Sequence, residues 1–164
     1  MHIDPSELRT AFGRFMTGVT IVTAVTDQGE PVGFTANSFS SVSLDPPLLL
    51  VCPGKHLTSF ETFKTVRHFG VSVLSADQQD VSRLFAGGKG PKFEQCDWAP
   101  AAFDVPMISG RAAGFVCEVS NIVPAGDHII LLGQILDFDD TENPGLGYGP
   151  GGYFTIGHQR LSVD

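Results

Sequence analysis

Apolar residues recur along this chain in two rhythms, one helical and one alternating, and each change of rhythm marks an element. Asp4-Pro5-Ser6-Glu7 is a helix start, with Asp4 as N-cap, Pro5 at the first helical position and Glu7 closing a capping box. Leu8, Ala11, Phe12, Phe15 and Met16 follow at helical spacing and make one apolar stripe, ended by Gly18. Val19 to Thr26 is β-branched, Asp27-Gln28-Gly29-Glu30 is turn material, and Pro31 to Ala36 completes a hairpin. Leu48 to Cys52 reads as a strand entered through Pro46-Pro47. Thr58-x-x-Glu61 is a second capping box, opening a helix with Phe60, Phe63 and Val66 inward. His68 to Leu74 is a strand, and Ser75-x-x-Gln78 opens a third short helix bearing Val81, Leu84 and Phe85.

Residues 87–108 carry little periodicity and predict an irregular stretch. Two longer strands follow, Ala113 to Ile122 and His128 to Phe138, joined through Pro124-Ala125-Gly126-Asp127. The glycine-rich tail from Gly145 to Gly152 ends in a short strand, Tyr153 to Ile156. Six or seven strands with three short helices in the connections predict a closed or nearly closed antiparallel barrel.

Between two of these strands lies a stretch of another kind. Gly33 to Pro47 holds Thr35, Asn37, Ser38, Ser40, Ser41 and Ser43, broken by Phe39 and Val42. Short polar side chains bond readily to nearby backbone, so a well-tied surface loop is one reading. The other is a ligand cradle, whose donors and acceptors meet a heteroaromatic ligand rich in carbonyls and ring nitrogens.

Composition narrows the picture. The 164 residues predict a single domain over 1–164, and 42% hydrophobic against 17% charged residues excludes disorder as the default. Thirteen Phe against two Tyr and one Trp point to aromatic packing inside or at a subunit interface. A net charge of −8 argues against nucleic acid and anionic membranes, which select clustered Lys and Arg. No run reaches membrane-spanning length, and no signal-peptide core precedes the first helix. Cys52, Cys96 and Cys117 are odd in number and far apart, which fits a reducing cytoplasm, with each expected as a buried small hydrophobe.

Other signals are weaker. Gly147-Tyr-Gly149-Pro-Gly-Gly152 matches a dinucleotide fingerprint in letters, but a strand follows it where a helix is required. Gly87-Gly88-Lys89-Gly90 lacks Walker spacing and leaves two readings, an anion clamp with Lys89 or Lys92, or a solvated loop. His2, His56, His68, His128 and His158 show no metal-ligand spacing, and no metal site is predicted. His128, heading a strand at the barrel rim, is either a surface histidine or a donor to an anionic or carboxamide-bearing ligand. Arg9 and Arg14 lie off the helical stripe, as solvated charges do.

In order and spacing, the residues resemble the flavin reductase family over about residues 6–156. The resemblance rests on Phe12-Gly-Arg-Phe15 with Thr17-Gly18-Val19-Thr20, Gly33-Phe-Thr-Ala-Asn-Ser-Phe39 and Ser41-Val-Ser-Leu-Asp-Pro-Pro47. Phe85-Ala86 ahead of Lys92-Phe93, and Gly126-Asp127-His128, complete it. The resemblance implies a mainly β, Greek-key split barrel of the FMN-binding type with a few short helices. Thr35, Ala36, Asn37 and Ser38 would line the isoalloxazine edge and ribityl chain. Ser41, Cys52 through its backbone, Lys55, Thr58 and Ser59 would surround the ribityl and phosphate, with Lys92 and Lys89 adding charge and Phe85 packing near the ring. His128 would stand near the nicotinamide as the catalytic residue, with Arg14 and Tyr153 beside it in NAD(P)H binding. Pro53-Gly-Lys-His56 departs from the family's pattern after the third strand.

The implied activity is hydride transfer from NADH or NADPH to FMN or FAD. Reduced flavin would serve a partner flavin-dependent monooxygenase, and the family's usual state is a homodimer. Three other readings stay open: a bound flavin serving another acceptor such as ferric iron or a corrin, a non-catalytic flavin-binding domain, and a structural barrel without flavin.

Overall fold

The computed structural model describes residues 3–155; Ile156, which closes the expected last strand, and both His2 and His158 lie outside them. Helix α1 spans Pro5–Phe12. The strands that follow are β1 (Thr17–Gly18), β2 (Thr20–Val25), β3 (Pro31–Ala36), β4 (Ser40–Leu44) and β5 (Pro47–Val51). Then come α2 (Phe60–Phe63), β6 (His68–Val73), α3 (Gln79–Gly87), β7 (Trp98–Pro100) and β8 (Pro106–Ile108). The described residues end in β9 (Ala113–Ala125), β10 (His128–Asp140), β11 (Leu146–Gly149) and β12 (Gly152–Thr155).

Seven strands make the main sheet in the order β3-β2-β6-β9-β10-β5-β4, every pairing antiparallel. Its two edge strands, β3 and β4, are consecutive in the chain and separated by Asn37, Ser38 and Phe39 alone. The sheet must therefore curl until its edges approach at that end, yet no ladder joins them. The result is a split barrel, with the split at β3 and β4.

Strand β2 explains why its sequence does not alternate apolar with polar: both of its faces are covered. Val22 and Ala24 point into the barrel with Phe34, Leu49, Val51, Phe63, Phe69, Val71, Cys117 and Leu131. Val19 and Ile21 belong to a second cluster with Leu74, Phe85, Ile108 and Leu146. The stretch expected to be irregular, 87–108, is in fact the cover for this outer face. Its β7–β8 hairpin is held by Thr23 Oγ1 donating to the Pro106 carbonyl and by Ile108 N donating to Ser72 Oγ at 3.1 Å. The tail, too, is more ordered than its glycines suggest, since β11 pairs β12 and β1 in a small separate sheet.

Three further expectations are corrected. Asp4 caps α1 by accepting from Ser6 N and Glu7 N, but the helix stops at Phe12 rather than near Gly18. Its stripe is left open: Phe12 is 69% exposed and Phe15 80%, and among the described residues no helix residue of α1 is buried. An amphipathic pattern records a face that wants cover, not where the cover comes from. The Gly33–Pro47 stretch is only partly loop, since Ser40–Leu44 is an exposed edge strand paired to β5. The Thr58/Glu61 box does not form: α2 is a single turn capped at Ser59 without a side-chain bond, and Glu61 pairs with Lys64 at 2.8 Å. By contrast the Ser75/Gln78 box is half made, with Ser75 N donating to Gln78 Oε1 at 3.0 Å.

The cysteines divide. Cys117 is buried, whereas Cys52 and Cys96 are half-buried. Desolvation pushes the Cys117 thiol from its ordinary 9.0 up to about 12. An acid whose folded-state pKa is raised stabilises fully below the unfolded value, and that contribution is lost as pH rises through the window up to the folded value. Alkylation of the native protein at about pH 8 is expected to spare Cys117 and to reach it only after denaturation. Labelling of Cys117 at equal rates in both states would contradict the burial.

Among the described residues no helix is long and apolar enough to cross a membrane, and no cluster of three or more His, Cys, Asp or Glu could hold a metal.

Candidate active site

The split in the barrel is where chemistry-bearing side chains collect. Between the end of β3 and the start of β4, Phe39 turns to stack on Phe115 at 5.8 Å between centroids. Ser38 Oγ accepts from Cys52 N at 2.9 Å and so ties the end of β3 to the end of β5. Thr35 Oγ1 donates to the Ser82 carbonyl on α3 at 2.6 Å, and Thr20 Oγ1 donates to the Ala36 carbonyl at 2.9 Å. Much of the polar density that suggested a cradle is thus satisfied by the protein itself. Asn37 differs: it is exposed, and it lines all three of the cavities that meet at the split.

The inner cavity, about 300 Å³, is walled by Phe34, Phe85, Tyr148 and Tyr153, with Thr35, Asn37, Ser82 and His56 as polar lining. Tyr148 and Tyr153 are paired across the β11–β12 hairpin, ring centroids 5.4 Å apart. Tyr153 Oη lies 2.9 Å from Ser82 Oγ, which anchors the hairpin to α3. Helix α3 reaches this wall because Gly33 has no side chain; a Cβ there would stand 3.1 Å from the Phe85 ring. A smaller recess of about 130 Å³ lies beside it, lined by Ser38, Cys52, Gly54, His56 and His128 among others. Burial raises the Cys52 thiol, so it sits there protonated at neutral pH.

The third cavity is the largest of the three, about 800 Å³. Arg9, Phe12, Arg14 and Phe15 from α1 and the turn after it form one side, with His128, Tyr148 and Pro150 opposite.

His128 heads β10 next to the β9–β10 turn, where Gly126 takes φ +63°. Its Nδ1 lies 2.7 Å from Asp127 Oδ1, and this hydrogen bond holds the Asp127 carboxyl below the usual carboxylate range. With an ionised acceptor at Nδ1, the proton sits there, which leaves Nε2 facing the site. The loop after β5 is stitched to the same turn. Lys55 N donates to the Asp127 carbonyl at 2.9 Å, Lys55 Nζ to the Gly126 carbonyl at 2.6 Å, and Ile129 N to the Pro53 carbonyl at 3.0 Å. Those bonds bring His56 beside His128, ring centroids 6.1 Å apart. Gly54 leaves the space between them open: a Cβ there would stand 2.7 Å from His56 Nδ1 and 3.1 Å from His128 Nε2.

Of the residues singled out from sequence, Thr35, Ala36, Asn37, Ser38, Cys52, Phe85, Arg14, His128 and Tyr153 line these cavities. Others stand outside their walls. Ser41 is exposed on β4, Lys55 is engaged with Gly126, and Thr58 and Ser59 precede the one-turn α2. Lys89 is exposed on its loop. Lys92 donates to the Phe85 carbonyl at 2.9 Å, closing the C-terminal end of α3, and burial pulls its pKa down. Sequence reasoning missed His56, Ser82 and Tyr148. Ser82 shares the helical face of Phe85, an i,i+3 relation that could have revealed it. Tyr148 and Tyr153 flank a glycine turn, a hairpin signal hidden in the rejected fingerprint.

An antiparallel sheet with an aromatic-walled recess where its edges part and a histidine at its rim defines a small split β-barrel whose pocket lies at the split. The chain belongs to the flavin reductase family: residues 12–157 match the flavin reductase like domain. It is 48% identical to the reductase component of the flavin-dependent trigonelline monooxygenase of Acinetobacter baylyi, over 96% of this chain and 51% of that protein. It is 47% identical to the stachydrine N-demethylase reductase subunit Stc3 of Rhizobium meliloti, over 92% of this chain and 66% of that subunit. The chain thus spans about half to two thirds of the length of these curated relatives. Among solved structures it superposes on the NADH:FAD oxidoreductase SgcE6 of Streptomyces globisporus, in complex with NAD and FAD fragments. The TM-score there is 0.89, at 35% identity, over 97% of this chain and 98% of that one.

Proposed function

We propose that this chain is an NAD(P)H:flavin oxidoreductase that delivers reduced FMN or FAD to a partner flavin-dependent monooxygenase. The observation that carries the reading is the meeting of two cavities at Asn37 and Tyr148, one walled by aromatic rings, the other larger and lined by two arginines. A two-substrate transfer needs two sites that touch at one place. The first cavity fits a flavin ring: four aromatic walls, an exposed carboxamide at Asn37, and a lining of small polar groups. The names of the relatives, which include reductase components of monooxygenases and an NADH:FAD oxidoreductase, support the same reading.

When bound, the flavin supplies the hydride acceptor, and the protein's work is binding and alignment. Phe34, Phe85, Tyr148 and Tyr153 exclude water from the ring. Asn37 offers an amide donor and acceptor at the junction. His128, held by Asp127, presents Nε2 to the nicotinamide side as acceptor when neutral and donor when protonated. No side chain has to move a proton for hydride transfer itself, so an acid–base pair is not required at the split.

The uncovered apolar face of α1 supports a homodimer, and three cysteines without disulfides among the described residues support a cytoplasmic setting. Anaerobic mixing of the protein with FMN or FAD and NADH or NADPH tests the activity through loss of the oxidised flavin band near ~450 nm. Rapid bleaching with one nucleotide is expected. Flavin that binds and never bleaches would make this a flavin-binding domain and defeat the enzymatic reading.

A further inference from the structure

The chain carries 18 acidic against 10 basic residues, so an average patch of its surface is negative. The 800 Å³ cavity is the opposite. Arg9, Arg14 and His128 line it, and no carboxylate does. Among the described residues neither arginine makes an ion pair, although Arg67, Arg83 and Arg111 all do. Two guanidiniums brought to one cavity repel each other, and a site that keeps them there gains most from an anion placed between them. The cavity shares Asn37 and Tyr148 with the aromatic chamber, so an occupant that ends at the junction continues directly under the arginines.

We infer that Arg9, together with Arg14, forms a diphosphate subsite for the dinucleotide substrate. Arg9 sits in the body of α1, and Arg14 follows the Gly13 cap, so the helix end and its turn place both arginines on the wall of one cavity. NAD(P)H carries its diphosphate in the middle of an elongated molecule. FAD does too, but it would have to thread there from the aromatic chamber, and parallel binding measurements separate the two. A nicotinamide seated beside His128 and Asn37 leaves the diphosphate to the outer cavity. The proposal rests on the reductase reading and adds to it the group that holds the donor's charged part.

The probe is ADP-ribose, which carries the diphosphate but no nicotinamide. Its affinity is measured by calorimetry at low salt on the full chain, with FMN and FAD affinities measured in parallel. Arg9→Ala and Arg14→Ala are each expected to weaken ADP-ribose about tenfold, as for a lost charge-assisted contact, with Arg9→Lys retaining most of the affinity. FMN and FAD affinities should both stay within about twofold, and raising the salt should shrink the difference between wild type and variants. Unchanged ADP-ribose binding in Arg9→Ala, in a variant that still bleaches flavin with NADH, would overturn the subsite and leave the reductase reading intact. A parallel loss of FMN or FAD affinity would assign the arginines to the flavin instead, which also overturns it. A wild-type protein that neither bleaches with NADH or NADPH nor binds ADP-ribose would bring down the underlying reading as well.

Discussion

Phe69→Ala is expected to lower the stability of the folded chain by about 3–5 kcal/mol, a large share of the total for a domain of this size. Phe69 lies on β6 and is fully buried in the barrel interior with Phe34, Phe63, Leu131 and Cys117. Its ring fills a hollow that exists because residue 133 is glycine: a Cβ on Gly133 would stand 2.5 Å from Phe69 Cζ and 2.8 Å from Cys117 Cβ. The two positions, on strands separated by β9 in the sheet order, are therefore one packing unit. Gly133→Ala alone overpacks that hollow and should destabilise by about 1–3 kcal/mol. In the Phe69→Ala background the added methyl enters vacated space, and its cost should fall or reverse. Chemical denaturation of the four proteins of this cycle measures it. Strict additivity would show that the ring and the glycine do not share the hollow.

His128→Ala is expected to cut the efficiency of NAD(P)H use by about 10- to 100-fold, the cost of losing a hydrogen bond of 1.5–3 kcal/mol, while flavin affinity changes little. Steady-state kinetics with varied nucleotide and flavin titration by fluorescence separate the two effects. Asp127→Asn should fall between wild type and His128→Ala, because it keeps the imidazole and removes the ionised partner at Nδ1. Equal losses in nucleotide use and flavin affinity would remove His128 from the nucleotide side of the site. The half-buried position of His128 at the start of β10 keeps the substitution away from the core, so the readout is not expected to be one of unfolding.

Several elements were legible without coordinates because their signals are local. Asp4 as N-cap needs only a short polar side chain two and three residues ahead of free N–H groups. The β2–β3 hairpin and the long β9–β10 pair follow from β-branched runs joined by turn residues. Pattern alone leaves burial open. The α1 stripe has the same spacing whether its cover is this chain or another surface. Ser40–Leu44, rich in hydroxyls, forms a strand at the sheet edge, where neither face must be apolar.

The sequence by itself determined the mainly β class, the hairpins and the positions of the polar Thr35–Ser38 stretch and of His128, since these depend on backbone propensity and residue chemistry over a few neighbours. The tertiary structure alone decided which of them meet. Asn37, His56, His128 and Tyr148 come from four separated segments, joined by the curl of one sheet and by the stitching of the Pro53–Lys55 loop to the Asp127 turn. Lys92 went to a helix end and Ser41 to an exposed edge for the same reason. Strand register and sheet closure set distances between residues far apart in the chain, and no local pattern encodes them.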